Sequence, residues 1–201
     1  MPNFFLNSLW PGLTVWSLLY LSDYALTVKC ARLYRNGANE KFVFEGSYEI
    51  TPFFQKDIDS LRLISPRFLG MLLWGVVLLT VVWLLAAQSF PQLYYFALGS
   101  MILIQLAVHT RHLRNLFLFR AIIKTDQIRG RIEYSRLLLL RTSAAELLSF
   151  SGLFFLLFVF TQDWFMLGGA TSCLSTAAKH RRLVRKLSPG TVGSVQPQQG
   201  T

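Results

Sequence analysis

Charged side chains are scarce in this sequence, and acids scarcest of all. Asp and Glu number ten, and charged residues together reach only 15%, where an average soluble domain carries about 25%. Such a composition excludes a disordered chain, a fibrous repeat and a coiled coil. Only two cysteines occur, Cys30 and Cys173. Far apart, they exclude a disulfide scaffold and are expected as two small buried side chains. The chain has no Gly-x-Ser-x-Gly elbow, no Gly-rich phosphate loop, no zinc spacing and no RNA-binding signature. Nucleophilic and nucleotide chemistry therefore lack a sequence basis. Pairing Ser149 with His109 as an intramembrane protease is the weakest reading of all.

Apolar residues fill the space that charge leaves. The AVILMFWYC set makes up 53% of 201 residues, with seventeen Phe and five Trp, and the mean hydropathy is +0.42. A helix needs about 20 mostly apolar residues to cross the hydrocarbon of a bilayer. Phe68 to Gln88 supplies such a run without a charge, and Leu93 to Thr110 follows after a Ser-Phe-Pro-Gln link fit only for a tight hairpin. Thr142 to Thr161 is a third run, holding Glu146, and Leu6 to Val28 a fourth, holding Asp23. Trp164 to Ala178 is a shorter candidate rich in Gly, Ser and Thr.

Charge placement decides the count. Cytoplasmic loops are enriched in Lys and Arg, and that bias orients the spans. All twenty basic residues fall between the first and second spans, between the third and fourth, or after the fifth. Five spans put every one of them on one side, with Asp163 the only charge opposite. The expected fold class is therefore all-α: a polytopic bundle of about five transmembrane helices, integral to a membrane such as a bacterial inner membrane. The amino terminus lies outside and the carboxyl terminus in the cytoplasm. The first span lacks a basic n-region and a cleavage site, so it is read as a retained helix. Residues 1–187 form one membrane domain, and the Pro/Gly-rich stretch 188–201 a disordered tail.

Two cytoplasmic segments, 29–67 and 111–141, join the spans. In the first, Thr51-Pro52 predicts a helix start, and Phe54, Ile58, Leu61 and Ile64 recur at helical spacing opposite Lys56, Asp57 and Asp59. That pattern predicts an amphipathic interfacial helix. Ser65-Pro66 repeats the start signal for the second span, and Phe42 to Ile50 favours extended chain turning at Glu45-Gly46. In the second segment, the two halves are expected to prolong the third and fourth spans as helices, turning near Gly130, with the latter helix counted from Ile132.

A formal net charge of +10 sits in these juxtamembrane loops, where orientation explains it without nucleic acid. Attraction to anionic headgroups adds about 1 kcal/mol per basic residue near the surface. Arg111, Arg114, Arg120 and Lys124 are the candidate lipid- or partner-binding residues. A membrane-protein partner or a second copy of the chain would meet the same face.

Ionisable groups within a bilayer are costly and mark functional sites by default. Asp23 and Thr27 share a face of the first span. Gln105, His109 and His112 form a stripe on the third, and Ser143, Glu146 and Ser149 a face of the fourth. These place Asp23, Thr27, Gln105, His109, His112 and Glu146 near one depth toward the cytoplasmic side. A structural ion-pair network explains them most simply, with Glu146 on Arg111 and Asp23 on a Lys or Arg. A proton or substrate site is the second reading. A divalent metal held by Asp23, Glu49, His109, His112 and Glu146 is the third, although the His i, i+3 spacing departs from the i, i+4 of helical zinc motifs. In the fifth span, Gly168, Ser172 and Thr176 predict a close helix-packing face.

The leading functional expectation is an accessory or scaffolding membrane protein whose basic cytoplasmic face binds lipid headgroups or a partner. A small carrier or membrane enzyme using the Asp23/His109/Glu146 layer is the alternative.

Overall fold

The computed structural model describes residues 4–46, 53–125 and 130–187. They form an all-α protein, as the composition predicts. The helices are α1 (Phe4–Asn7), α2 (Trp10–Leu33), α3 (Asn39–Lys41), α4 (Gln55–Asp59), α5 (Pro66–Ala86), α6 (Pro91–Thr125), α7 (Arg136–Thr161) and α8 (Trp164–Leu187). Two three-residue strands, β1 (Phe42–Phe44) and β2 (Ile132–Tyr134), pair in parallel. Helices α5, α6 and α7 are long and apolar enough to cross a membrane, which makes this an integral membrane protein.

Local signals account for most of the boundaries. Ser65 caps α5, its Oγ accepting from the Phe68 amide at 3.3 Å with Pro66 next in line. Proline suits the first turn because its missing N–H would have no helical partner there. Ser135 does the same for α7, accepting from the Leu138 amide at 3.2 Å. That helix stops at Gln162, a left-handed residue at φ 53°. Gly46, with φ 86°, sits where the chain was expected to turn, and Gly130, with φ 84°, opens the return between α6 and α7.

Four expectations change in detail. The segment from Leu6 is not one helix: α1 ends at Asn7, and α2 starts afresh at Trp10 with Pro11 in its first turn. Continuing past Val28, α2 reaches Leu33 and then a π-helical turn, Tyr34–Ala38, broken at Gly37 where φ is 139°. Residues 132–134 are strand rather than helix, because β1 supplies backbone partners to an Ile-Glu-Tyr stretch that prefers extended chain. The interfacial helix shrinks to the five residues of α4, ended by Leu61 at φ 52°. Its Thr51-Pro52 start, like residues 188–201, lies outside the described residues.

Asp57 is the fourth change. Assigned to the polar face, it is buried at 5% exposure. Ser65 donates to its Oδ2 at 2.7 Å, and Arg67 and Arg62 approach at 3.5 and 3.8 Å. The carboxylate ties α4 to the start of α5, while Ile58 packs with Tyr24, Val28 and Phe68. A side chain that meets two arginines and a capping serine is better placed inward than its polarity suggests.

The hub of the bundle is α6, which packs on α2, α5 and α8. Near its start, Tyr94, Leu98 and Ile102 bury against Leu13 and Trp16 of α2 and Leu79 of α5. Midway, Leu103 and Ala107 meet Leu147 and Phe154 of α7 and Ala170, Cys173 and Ala177 of α8. Both cysteines are buried and neither is in a disulfide. The small face of α8 makes the approach to α6 close: a Cβ on Gly168 would run into the Phe96 carbonyl, and one on Gly99 into the Phe165 carbonyl. Ser100 Oγ donates to the Gly168 carbonyl across this contact at 3.0 Å. Ser151 Oγ donates to the Ala170 carbonyl at 2.8 Å, joining α7 to the same helix. Backbone-to-backbone contact of this kind drives helix association where lipid removes the hydrophobic term.

Gly168→Leu is expected to abolish the folded monodisperse peak in detergent size-exclusion chromatography. Gly70→Ala, where an added Cβ meets nothing within 4 Å, is expected to leave it unchanged.

Candidate functional site: a polar cavity at the basic end of the bundle

Helix α8 packs along both α6 and α7, yet α6 and α7 make little direct contact with each other. The gap between them, on the C-terminal half of α6, is a cavity of about 400 Å³. Arg111, His112, Arg114 and Asn115 line it from α6, Thr142, Ser143 and Glu146 from α7, and Thr176 and His180 from α8. Phe42, Phe44 and Tyr134 of the two-stranded sheet close it over, and Leu118, Leu139 and Leu147 complete an apolar wall. The strands hold these rings by stacking Phe42 on Tyr134, with centroids 5.8 Å apart.

Two ion pairs that share Glu146 span the gap. Arg111 Nε donates to Glu146 Oε2 at 2.6 Å, and Arg114 Nη1 to Glu146 Oε1 at 3.3 Å. Arg111 and Glu146 are 14% and 22% exposed, whereas Arg114 is 64% exposed. The first contact is thus the shielded and stronger one. Arg111 Nη2 remains buried without a hydrogen-bond partner, as does His112 Nδ1. Both residues border the cavity, while these two atoms themselves are covered by the surrounding protein.

His180 reaches the same space from α8, its Nδ1 2.9 Å from Ser143 Oγ. Burial, with Arg111 and Lys179 nearby, pushes its pKa down from 6.5 to about 4. The imidazole is therefore neutral at pH 7. Sequence reasoning missed it, because His180 sits in a Lys-His-Arg-Arg run that reads as orienting charge. A signal was nonetheless present: Gly168, Ser172, Thr176 and His180 continue one four-residue stripe.

Asp23 lies in a second constellation. Its Oδ1 is 3.4 Å from His109 Nδ1 and 3.7 Å from His112 Nε2. Thr27 Oγ1 is 3.2 Å from the same His112 nitrogen, and Ser22 Oγ 3.3 Å from His109 Nε2. Asp23, Thr27, Gln105 and His112 border a smaller cavity of about 180 Å³ together with Tyr20 and Tyr24. Val108 and His112 line both cavities and together form the wall between them.

The expected polar layer is therefore divided. Asp23, Thr27, Gln105, His109 and His112 come together, with both histidines beside the Asp23 carboxylate. Glu146 pairs with Arg111, as expected, and stands across His112 from the others. Arg120 and Lys124 lie further along α6, exposed. Glu49 lies outside the described residues. Among those described, no group of three or more His, Cys, Asp or Glu is arranged to hold a metal ion.

Fold and site together define the class: a helical integral membrane protein with a mixed polar and apolar cavity at its basic end. No family model, curated protein or solved structure matches the chain.

Protonating His180 would place a cation beside Arg111 in a buried site. Its folded pKa lies below its unfolded value, so stability is intact above pH 6.5 and falls as pH drops toward about 4. The melting temperature in detergent is expected to decline over that window, and His180→Asn to flatten the decline. An equal slope in both proteins would contradict the assignment.

Proposed function

We propose that this chain is a small accessory membrane protein of five transmembrane helices, α2 and α5 to α8, that binds an anionic amphiphile at its cytoplasmic face. The amino terminus is outside and the carboxyl terminus cytoplasmic, as in a bacterial inner membrane. The observation that carries the reading is the two-sided cavity between α6 and α7. Arginine, histidine and amide groups offer donors to a phosphate or carboxylate head. Phe44, Leu118, Leu139 and Leu147 offer a surface for the chain attached to it. One acid against two arginines leaves the lining with a net positive charge. Binding sites of this size and mixed lining suit a small lipid-like ligand.

The bridge suggests how such a ligand would be held. Glu146 occupies the Arg111 and Arg114 guanidinium groups in its absence, and a ligand anion would share them. Arg114→Gln is expected to weaken retention of phosphatidylglycerol about fivefold, the worth of one basic contact. Glu146→Gln, which removes the competing carboxylate, is expected to tighten it. Lipid retained by the purified variants and counted by mass spectrometry reads both effects. Unchanged retention in both would remove the proposal.

A second reading has its own support in the Asp23–His109–His112 group beside the smaller cavity. A carboxylate between two imidazoles is the composition of a proton site in a carrier or membrane enzyme. If Asp23→Asn leaves folded yield and oligomeric state intact while abolishing a proton-dependent activity, that reading replaces the first. A drop in folded yield alone assigns Asp23 to holding α2 against α6.

A further inference from the structure

A second basic surface lies on the other side of the α7–α8 pair. Arg141, Ala144 and Ala145 of α7 and Arg181, Val184 and Arg185 of α8 enclose an open cleft of about 370 Å³. Its floor is small and apolar, and its rim is three guanidinium groups. Among the described residues, none of the three has a carboxylate partner. The local sequence explains why: α8 carries no acid, and the single acid of α7, Glu146, is spent on Arg111 and Arg114. Like charges brought together without a counter-charge repel one another, so this rim is arranged for an anion.

We propose that this cleft binds the phosphate diester of an anionic phospholipid, with an acyl chain lying along the groove below it. Arginine forks suit phosphate oxygens bidentately, and three of them favour a doubly hydrogen-bonded head over a point contact. Below the rim, one face of α7 continues in the direction of the membrane. Arg141, Ala145, Ser149, Gly152 and Leu156 follow one another at helical spacing down α7. A Cβ added at Gly152 would meet nothing within 4 Å, so this face is uncovered there. Leu174 of α8 and Leu156 of α7, 51% and 53% exposed, present apolar surface on its sides. A soluble anion would use only the rim, whereas a phospholipid uses rim and groove together. The site depends on the proposed orientation only in that this end of the bundle meets the headgroups, and it shares no residue with the α6–α7 cavity.

The test compares two triple variants of the full chain in neutral detergent, titrated with phosphatidylglycerol and read by native mass spectrometry. Arg141→Gln/Arg181→Gln/Arg185→Gln removes the rim. Lys179→Gln/Arg182→Gln/Lys186→Gln removes the same charge from the other faces of α8. The rim variant is expected to lose affinity for one lipid roughly 100-fold, at about fivefold per charge-assisted arginine–phosphate contact, and the control, which has no such contact, only a few-fold. Equal losses would show general surface attraction and overturn the proposal. Displacement of the lipid by millimolar inorganic phosphate would overturn it in favour of a free-ion site. If the rim variant fails to fold, the three Arg→Lys changes keep the charge and lose the forks: weaker retention supports the site, and unchanged retention overturns it. Arg114→Gln is expected to leave this lipid in place, so loss confined to that variant would preserve the cavity reading and reject this one.

Discussion

The Arg111–Glu146 ion pair is the contact on which the basic end of this molecule depends. Glu146 lies on a helix apolar enough to cross a membrane, where an unpaired carboxylate is costly. Arg111, on the neighbouring long helix, neutralises it at 2.6 Å. That pair bridges α6 and α7 directly at the level of the cavity, where the two helices otherwise meet mainly through α8. Removing one partner of a shielded pair strands the other charge, at about 3 kcal/mol where burial is complete and less here, since Glu146 keeps some exposure. A gap bridged by opposite charges is both a structural joint and a place where an incoming anion can exchange with Glu146.

The joint needs a rigid frame, and α8 provides it. Its glycine-rich face lets it sit against the backbone of α6, while Ser151 of α7 bonds to its Ala170 carbonyl. With α8 wedged along both partners, the space that remains between α6 and α7 cannot close by helix sliding. The short sheet then covers it. Neither strand is long enough to be stable alone, but together they place Phe42, Phe44 and Tyr134 over the opening. A long-range pairing between residues 42–44 and 132–134 thereby joins the two loops at the basic end.

How much of this could be read in the residues varies with the range of the interaction. The apolar spans of α5, α6 and α7, the Ser65-Pro66 start of α5, a tight link between α5 and α6 and the Glu146–Arg111 pair follow from hydropathy, local capping chemistry or the cost of an intramembrane charge. The small-residue face of α8 was legible for the same reason, though its counterpart Gly99 was not, since one glycine in an apolar run carries no pattern. What escaped was non-local. The strand at Ile132 exists because a distant segment pairs with it, and Asp57 points inward because two arginines and Ser65 meet it there. His180 was hidden by neighbours whose charge had another explanation. The division of the polar layer by His112 depends on helix rotation, which depth arguments do not supply.

Two anion-seeking surfaces flank α7 on this account, and both arise from the excess of basic over acidic residues at that end. The central claim is that the α6–α7 cavity holds an anionic amphiphile. A photoactivatable phosphatidic-acid probe, cross-linked in native membranes and mapped by peptide mass spectrometry, tests it most directly. The account predicts labelling within Val108 to Phe119 and Leu139 to Leu147 well above that from a zwitterionic probe. Equal labelling by the two probes, or labelling confined to the lipid-facing side chains of α5, would contradict it.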